Sequence, residues 1–218
     1  RAMPDNSDIF ISLGDLYRSE HRFAEAETAY DKAIEMGTGA AQDPNPRDWF
    51  LYFARGMMRE RLGTWGMAEL DLQTARKLSG DEPNVLNYLG YSWINQGIYL
   101  DEGLKIIREA VTKEPKNGAF VDSLGWAHYR LGNYKQALIL LERASKIESG
   151  DPVVTDHLGD ALWRVGRKVE ARYQWRKALA FEPSAEDRAK MEDKLLKGLG
   201  PPEKKKPKAH MPRGGTAI

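Results

Sequence analysis

The 218-residue sequence contains no cysteine, and this absence removes several kinds of chemistry at once. Disulfides, thiolate zinc sites, iron–sulfur clusters and thiol nucleophiles all need cysteine. The sequence also lacks an apolar run of the roughly 18 residues that a membrane-spanning helix requires, so we expect no membrane insertion. Lys and Arg number 33 against 32 Asp and Glu, and a balance so close to neutral gives no broad attraction to nucleic acid.

Catalytic and ligand-binding motifs are scarce as well. The sequence has no phosphate-binding GxxxxGK[ST] loop, no GxSxG nucleophile elbow and only four histidines. No two of these histidines have a metal-ligand spacing on one predicted helix. Asp156 and Asp160 are one helical turn apart and imitate a carboxylate pair, but such pairs are common on helix surfaces. We therefore expect no enzyme activity, no metal and no cofactor.

An internal repeat is what the sequence does contain. Five glycines recur with separations of 42, 34, 35 and 34 residues, and they are Gly14, Gly56, Gly90, Gly125 and Gly159. In four copies alanine follows 12 and 19 residues later, and in four a second glycine follows seven residues later. Small residues let two helices pack closely, and the second glycine favours a turn between them. The spacing predicts five helical hairpins that must stack, because one hairpin cannot bury its apolar face alone.

These residues resemble the tetratricopeptide repeat (TPR) family over about residues 7–183. The family implies an all-α, right-handed superhelical solenoid whose concave groove binds a peptide or a partner helix. The second copy departs from the pattern at two positions. Arg55 stands where the other copies carry Leu, and Arg59 stands where they mostly carry an aromatic residue or Leu. We expect this helix to be slightly rotated or to direct its paired charges outward.

Composition predicts different structure outside the repeats. Residues 37–48 contain Gly, Ala and two prolines, which are typical of an extended loop. Residues 185–197 begin after a Pro-Ser pair with acidic residues early and Lys late, as in a capped helix. The start at Arg1 without Met leads us to expect a trimmed piece of a longer protein. The predicted organisation is a lead-in (1–6), TPR 1 (7–36), a loop (37–48), TPR 2 (49–82), TPR 3 (83–117), TPR 4 (118–151), TPR 5 (152–184), a capping helix (185–199) and a disordered basic tail (200–218).

The basic tail offers one alternative partner. Its EKKKPK run at 203–208 has the charge to contact phosphates by releasing counterions. No aromatic residue interleaves these lysines, so nothing in the run stacks on bases. We favour a solubilising or unstructured end and expect no nucleic-acid partner.

Helical geometry predicts which residues line the groove. At about 100° per residue, offsets −1 and +3 from each repeat glycine face the partner helix, and offsets −3, +1, +4 and +5 form a separate stripe. In the TPR family that stripe points into the groove. The residues on it that we predict to bind a partner are Asn87, Tyr91, Asn95, Asp122, Trp126, Tyr129, Arg130, Asp156, Asp160, Trp163 and Arg164.

The composition of this stripe supports binding, although two other interpretations stay open. Aromatic and Arg residues are typical of protein-recognition hot spots. Alternatively, Trp126 and Trp163 pack against the next repeat, and the polar residues form an ordinary solvated surface. In either case we expect Asn87 and the three aspartates to lie outside the core.

Four stretches carry a closer resemblance. They are similar to the C-terminal repeats of large bacterial TPR proteins exported to the periplasm, among them the outer-membrane lipoprotein adaptor of a carboxyl-terminal processing protease. The stretches are residues 45–61, 84–97, 121–132 and 156–179. The resemblance implies a non-enzymatic adaptor or scaffold, periplasmic or outer-membrane-associated in a Gram-negative bacterium, with such a protease as a partner. A structural self-assembly module that forms homo-oligomers is the alternative function, and the cytoplasm is the alternative compartment.

Overall fold

The structure, a computed structural model, describes residues 6–38 and 48–202. Within these ranges the chain forms eleven α-helices and no strand, so the predicted all-α class is confirmed there. Residues 1–5 of the predicted lead-in, most of the predicted loop and nearly all of the basic tail lie outside the described residues. The helices are α1 (Asn6–Ser19), α2 (Phe23–Thr38), α3 (Trp49–Arg61), α4 (Trp65–Ser79), α5 (Pro83–Gln96), α6 (Leu100–Lys113), α7 (Gly118–Arg130), α8 (Tyr134–Ile147), α9 (Pro152–Arg164), α10 (Lys168–Ala180) and α11 (Ala185–Lys197).

Side-chain caps and turn glycines set several helix boundaries. Asn117, Asp151 and Ser184 each accept a hydrogen bond from a backbone N–H in the first turn of the helix that follows, which satisfies a group with no partner inside the helix. The glycines between paired helices include Gly132 and Gly166, at φ 79° and 91°. This left-handed backbone suits glycine, so the turn positions predicted from the repeat are confirmed.

The repeat glycines allow close contact between paired helices. Contacts are most extensive in the pairs α1 with α2, α3 with α4, α7 with α8 and α9 with α10. A Cβ added at Gly159 would lie 2.5 Å from Cδ1 of Trp175, and one added at Gly56 would lie 3.0 Å from Cγ of Leu72. A methyl group has no room at the first position and little at the second, which confirms the predicted role of the repeat glycine.

The chain divides into two compact units, and the border falls between Leu89 and Gly90, within α5. Unit 1 has its own apolar core. Buried members of this core include Tyr30, Leu51, Tyr52, Met58 and Val85.

Unit 1 also contains a buried ionic network built on α3. Arg55 and Arg59 both donate hydrogen bonds to the carboxylate of Asp71, which is 2% exposed, at distances between 2.7 and 2.8 Å. Asp31 accepts from Arg55 at 2.7 Å, and Glu27 accepts from Arg59 at 2.8 Å. Of the two alternatives for this helix, the outward direction of its charges is wrong, because α2 and α4 supply carboxylates that pair with both arginines.

Unit 2 has a second core, and the last helix covers one end of it. The core includes Leu141, Leu158, Leu162 and Trp175. Helix α11 packs against α10 and buries Met191, which is 1% exposed. Most other side chains of α11 are partly or fully exposed, as expected for a helix that ends a stack of repeats.

Candidate partner-binding site

The predicted binding stripe of unit 2 divides into exposed and buried members. Asn95 is exposed, and the side chains of Trp126, Tyr129, Arg130 and Arg164 are partly exposed. The buried members are Asp122 and Asp160, which are 6% and 4% exposed. The expectation that these two aspartates lie outside the core is wrong, because each has a cationic side chain of the same unit as its partner.

Asp122 is paired with a histidine one repeat further along the chain. Its carboxylate accepts a hydrogen bond from Nδ1 of His157 at 2.9 Å, and both side chains are 8% exposed. Burial disfavours the charged imidazole, but the carboxylates of Asp122, Asp156 and Asp160 outweigh this effect and raise the pKa of His157. Asp122 therefore holds the ring in place and favours its charged form.

His157 in turn supports a row of aromatic rings. Its ring stacks on Trp126 with centroids 4.1 Å apart, and Trp126 stacks on Tyr129 with centroids 4.7 Å apart. Tyr129 meets Tyr134, at the start of α8, edge to face at 5.4 Å. Nε1 of Trp126 donates to the side-chain oxygen of Asn95 at 2.9 Å. These contacts fix the orientation of Trp126 while part of its surface stays exposed.

Two arginines lie beside this row. Nε of Arg164 donates to the hydroxyl of Tyr129 at 3.2 Å. Nη1 of Arg130 lies 3.4 Å from the backbone carbonyl of Asn95. Burial raises the pKa of the Tyr129 hydroxyl, so this group stays protonated and neutral at physiological pH. The arginines therefore give this aromatic surface its positive charge.

Helix α11 supplies the charge partner for the other two predicted aspartates. Nζ of Lys194 donates to Asp156 at 2.6 Å and to Asp160 at 2.9 Å, and Nε1 of Trp175 donates to Asp160 at 2.9 Å. Burial raises the pKa of Asp160 and Lys194 opposes the rise. Because both carboxylates are engaged within the chain, their arrangement favours a role in holding α11 over a hydrolytic one.

The aromatic row and the arginines enclose a cavity of about 330 Å³ in unit 2. Its walls come from α7, α8, α9 and the segment that follows α11. The lining residues are Trp126, Tyr129, Arg130, Gly132, Tyr134, Asp160, Arg164, Leu199 and Pro202. A concave apolar surface with a few convergent polar groups is the usual form of a binding pocket.

Six of the predicted binding residues are absent from this cavity lining, namely Asn87, Tyr91, Asn95, Asp122, Asp156 and Trp163. Trp163 lies with its centroid 5.3 Å from that of Trp175, and Gly198 packs against its ring. Asn87 and Tyr91, on α5, are each partly exposed. The structure therefore groups five predicted residues of α7 and α9 at one cavity, and Asn95 of α5 contacts this group through Trp126. Asn87 and Tyr91 stay separate predictions.

The sequence interpretation missed three side chains that shape the site, namely His157, Tyr134 and Lys194. A usable signal was present for the first, because residues about one repeat apart contact each other. Asp122 and His157 are 35 residues apart, as are Tyr129 and Arg164. Both contacts join a stripe residue to the residue one position beyond its counterpart in the next copy, because Gly125 and Gly159 are 34 residues apart. The partner from α11 lies outside the periodic pattern and gave no such signal.

We also examined the other cavities, metal-binding clusters and apolar helices of the described ranges as candidate sites. A cavity of about 340 Å³ in unit 1 is lined by α1 and α2, and a more open one of about 670 Å³ lies beside α8. Among the residues with described placement, no three His, Asp or Glu side chains are grouped to hold a metal ion. The helices of that part of the chain include none with the length and apolarity of a membrane span.

Comparison with known proteins identifies the repeat. The tetratricopeptide repeat family profile matches residues 11–83 and 100–152, which together are more than half of the chain. The chain belongs to the tetratricopeptide repeat family. The family assignment made from the glycine and alanine spacing is therefore confirmed.

A curated TPR relative resembles part of the chain. The TPR repeat-containing protein PA4667 of Pseudomonas aeruginosa is 32% identical over 115 residues. The match covers 53% of this chain and 19% of that protein, so the chain spans only a small part of the length of the relative.

Solved TPR structures share the fold. The Thermus thermophilus TPR protein TTC0263 superposes with a TM-score of 0.71 at 21% identity, covering 87% of this chain and 99% of that one. PilF of Pseudomonas aeruginosa superposes with a TM-score of 0.68 at 19% identity, and the match covers 88% of this chain and 83% of that one. YrrB, described as a TPR protein with an unusual peptide-binding site, superposes with a TM-score of 0.57 at 15% identity. The match covers 87% of this chain and 93% of that one. At these identities the likeness shows the fold, and it confirms the TPR solenoid class.

Proposed function

We propose that this chain is a non-enzymatic protein-interaction scaffold that binds an extended segment of a partner at the unit 2 cavity. The observation that carries the proposal is the preorganised row of rings that contains Trp126 and Tyr129, with Arg130 and Arg164 beside it. Trp, Tyr and Arg are the residue types that dominate binding energy at protein interfaces. Rings already held by stacking and hydrogen bonds lose little conformational entropy when a partner binds.

The proposal divides the predicted residues by role. Asn95, Trp126, Tyr129, Arg130 and Arg164 are the contact residues, because each is at least partly exposed. The three aspartates act indirectly by holding His157 and Lys194 in position. Tyr91 and Trp163 extend the proposed contact surface of unit 2 along the predicted stripe, and Asn87, in unit 1, stays a separate prediction.

A peptide selection on the full chain tests this function. Peptides selected from a displayed library are titrated against the wild type, Trp126→Ala and the control Val169→Ala, whose side chain is 84% exposed on α10. We expect Trp126→Ala to lose about 2 kcal/mol of binding free energy, because a central aromatic anchor is removed. Val169→Ala should bind as the wild type does.

The result that contradicts the proposal is equally concrete. Circular dichroism first establishes that both variants keep the helical content of the wild type. Selected peptides that bind folded Trp126→Ala with unchanged affinity would place the binding surface elsewhere. Concentration-dependent self-association in sedimentation, without peptide binding, would favour the self-assembly module instead.

The finer form of the proposal is an adaptor that brings a periplasmic carboxyl-terminal processing protease to its substrates. Its support is the resemblance of the four stretches noted above to exported TPR adaptors. The test is reconstitution of a purified protease of this class and a cell-wall hydrolase substrate with and without the chain. We expect faster cleavage with the wild-type chain than with Trp126→Ala, and equal cleavage rates with and without the chain would contradict the adaptor role.

A further inference from the structure

The segment after α11 turns sharply at Gly198 and runs over unit 2. Gly198 has φ 73°, in the left-handed region that favours glycine. A Cβ at this position would overlap the ring of Trp163. Gly198 therefore permits both the turn and the close contact of the backbone with the indole, and a larger residue should lift the segment from its seat.

The next residues are held by one apolar and one polar contact. Leu199 packs against the core of unit 2. The carbonyl of Gly200 accepts a hydrogen bond from Nη1 of Arg164 at 2.5 Å. Leu199 and Pro202 line the same cavity as Trp126. The chain thus places its own Leu-Gly-Pro-Pro sequence at the proposed binding site.

The chemistry of this segment indicates what the cavity accommodates. Consecutive prolines lack N–H groups and restrict φ to about −65°, so they favour an extended backbone that presents carbonyls and flat rings. Grooves lined with aromatic rings bind such segments by packing against the pyrrolidines, while nearby donors bind the carbonyls. Here Trp126, Tyr129 and Tyr134 supply the rings, and Arg164 supplies the donor.

We propose that the unit 2 cavity binds an extended, proline-containing segment of a partner protein, and that residues 199–202 occupy part of this site as an intramolecular competitor. This inference rests on the proposed function and specifies the class of ligand. A tethered competitor acts at a high effective concentration, so it weakens the binding of every ligand that needs the same position. Release of the segment should therefore reveal the full affinity of the site.

Fluorescence anisotropy with a labelled peptide of the sequence LKGLGPP, copied from residues 196–202, tests the proposal on the full chain. Gly198→Val releases the segment by strain and overlap, and Leu199→Asp releases it by removing its apolar anchor. We expect both variants to bind the peptide about tenfold more tightly than the wild type. A peptide with both prolines replaced by alanine should bind about tenfold more weakly.

Further variants locate the binding. Tyr134→Ala in the Gly198→Val background should abolish the gain, whereas Val169→Ala in the same background should retain it. The proposal is overturned if both released variants keep their helical circular dichroism and yet fail to bind the peptide. Equal binding of the proline and alanine peptides would also overturn it. A dimer of the released variants, formed through the segment in trans, would overturn the assignment to a partner protein.

These outcomes separate this inference from the proposed function. Selected peptides that depend on Trp126, but lack proline and do not compete with LKGLGPP, would preserve the function and overturn the inference. Selected peptides that bind Trp126→Ala with the same affinity as the wild type would contradict the proposed function, whatever the result with LKGLGPP.

Discussion

The two units of this chain neutralise buried carboxylates with cations of different kinds. In unit 1, the carboxylate of Asp71 lies between the guanidinium groups of Arg55 and Arg59. In unit 2, Asp122 is paired with His157, and Asp160 with Lys194. Arginine stays charged throughout the physiological range, whereas histidine changes charge within it. The same helical repeat thus holds a permanent network in one unit and a titratable one in the other.

This difference has a consequence for the candidate site. The histidine of unit 2 is stacked on Trp126, the ring proposed to anchor a partner. All lining residues of the unit 2 cavity belong to unit 2, so Arg55 and Arg59 are not among them. Charge changes near neutral pH are therefore expected to reach the binding surface in unit 2, while unit 1 keeps a fixed electrostatic core.

The largest expected effect is on the permanent network. Asp71→Asn leaves two buried guanidinium groups without their shared carboxylate, and we expect a loss of about 3–5 kcal/mol in the free energy of unfolding. The matched variant is Asp31→Asn, whose parent side chain is 40% exposed and contacts the same arginines. It should cost less than about 1 kcal/mol. Urea titrations followed by circular dichroism measure both, and equal losses would contradict a buried network centred on Asp71.

An intermediate effect on stability is expected where paired helices pack closely within each unit. Gly159→Ala places a methyl group 2.5 Å from the ring of Trp175, so we expect a loss of about 1–3 kcal/mol in stability. Gly56→Ala meets Leu72 at 3.0 Å and should cost less, because that side chain needs to move only slightly.

Gly66 provides the control, since a Cβ there meets nothing within 4 Å. Gly66→Ala should raise stability by up to about 1 kcal/mol through its helix propensity. Thermal unfolding of the three variants ranks them, and a Gly159→Ala protein as stable as Gly66→Ala would show that the close contact with Trp175 is absent.

The smallest expected effect depends on pH. The pKa of His157 is raised in the folded protein above its ordinary value of 6.5, so the folded state holds this proton more tightly than the unfolded chain does. The stability that this provides is fully present below about pH 6.5 and declines as pH rises through the folded pKa. The stability difference between wild type and His157→Gln should therefore shrink from pH 6 towards pH 9. The charged groups that act on this ring are Asp122, Asp156 and Asp160, and Lys194 donates hydrogen bonds to the last two.

Unit 1 sharpens the interpretation of that titration. The difference between wild type and Asp71→Asn should stay nearly constant over the same range, because guanidinium groups do not titrate there. A His157→Gln difference that grows with pH would reverse the assigned sign. It would indicate that the imidazole is held neutral in the folded state.

Much of the fold was predictable, because residues close together in the repeat determine where its helices and turns form. Glycine and alanine spacing identified the hairpins, and the Pro-Ser pair at residues 183–184 with early acidic residues identified α11. These features act within a turn or two of helix, where sequence order determines contacts. The inward pairing of Arg55 and Arg59 was not predictable in this way, because it depends on carboxylates from two other helices.

The candidate site was predictable only in part for the same reason. Offsets from the repeat glycine placed Trp126, Tyr129, Arg130 and Arg164 on one stripe, and the structure brings them to one cavity. The burial of Asp122 and Asp160 could not be read from their own helix, because their partners lie in the next repeat and in α11. Offsets give the direction of a side chain, whereas burial depends on what the neighbouring helices supply.

The indole N–H signals of the six tryptophans provide the most direct test of the binding surface. A peptide selected on the full chain is added during an ¹⁵N-resolved NMR titration. We predict that the signal of Trp126 shifts strongly, because its N–H lies at the exposed contact with Asn95, while that of fully buried Trp175 stays nearly unchanged. A titration that shifts Trp49 or Trp65 of unit 1 and leaves Trp126 unmoved would contradict the account.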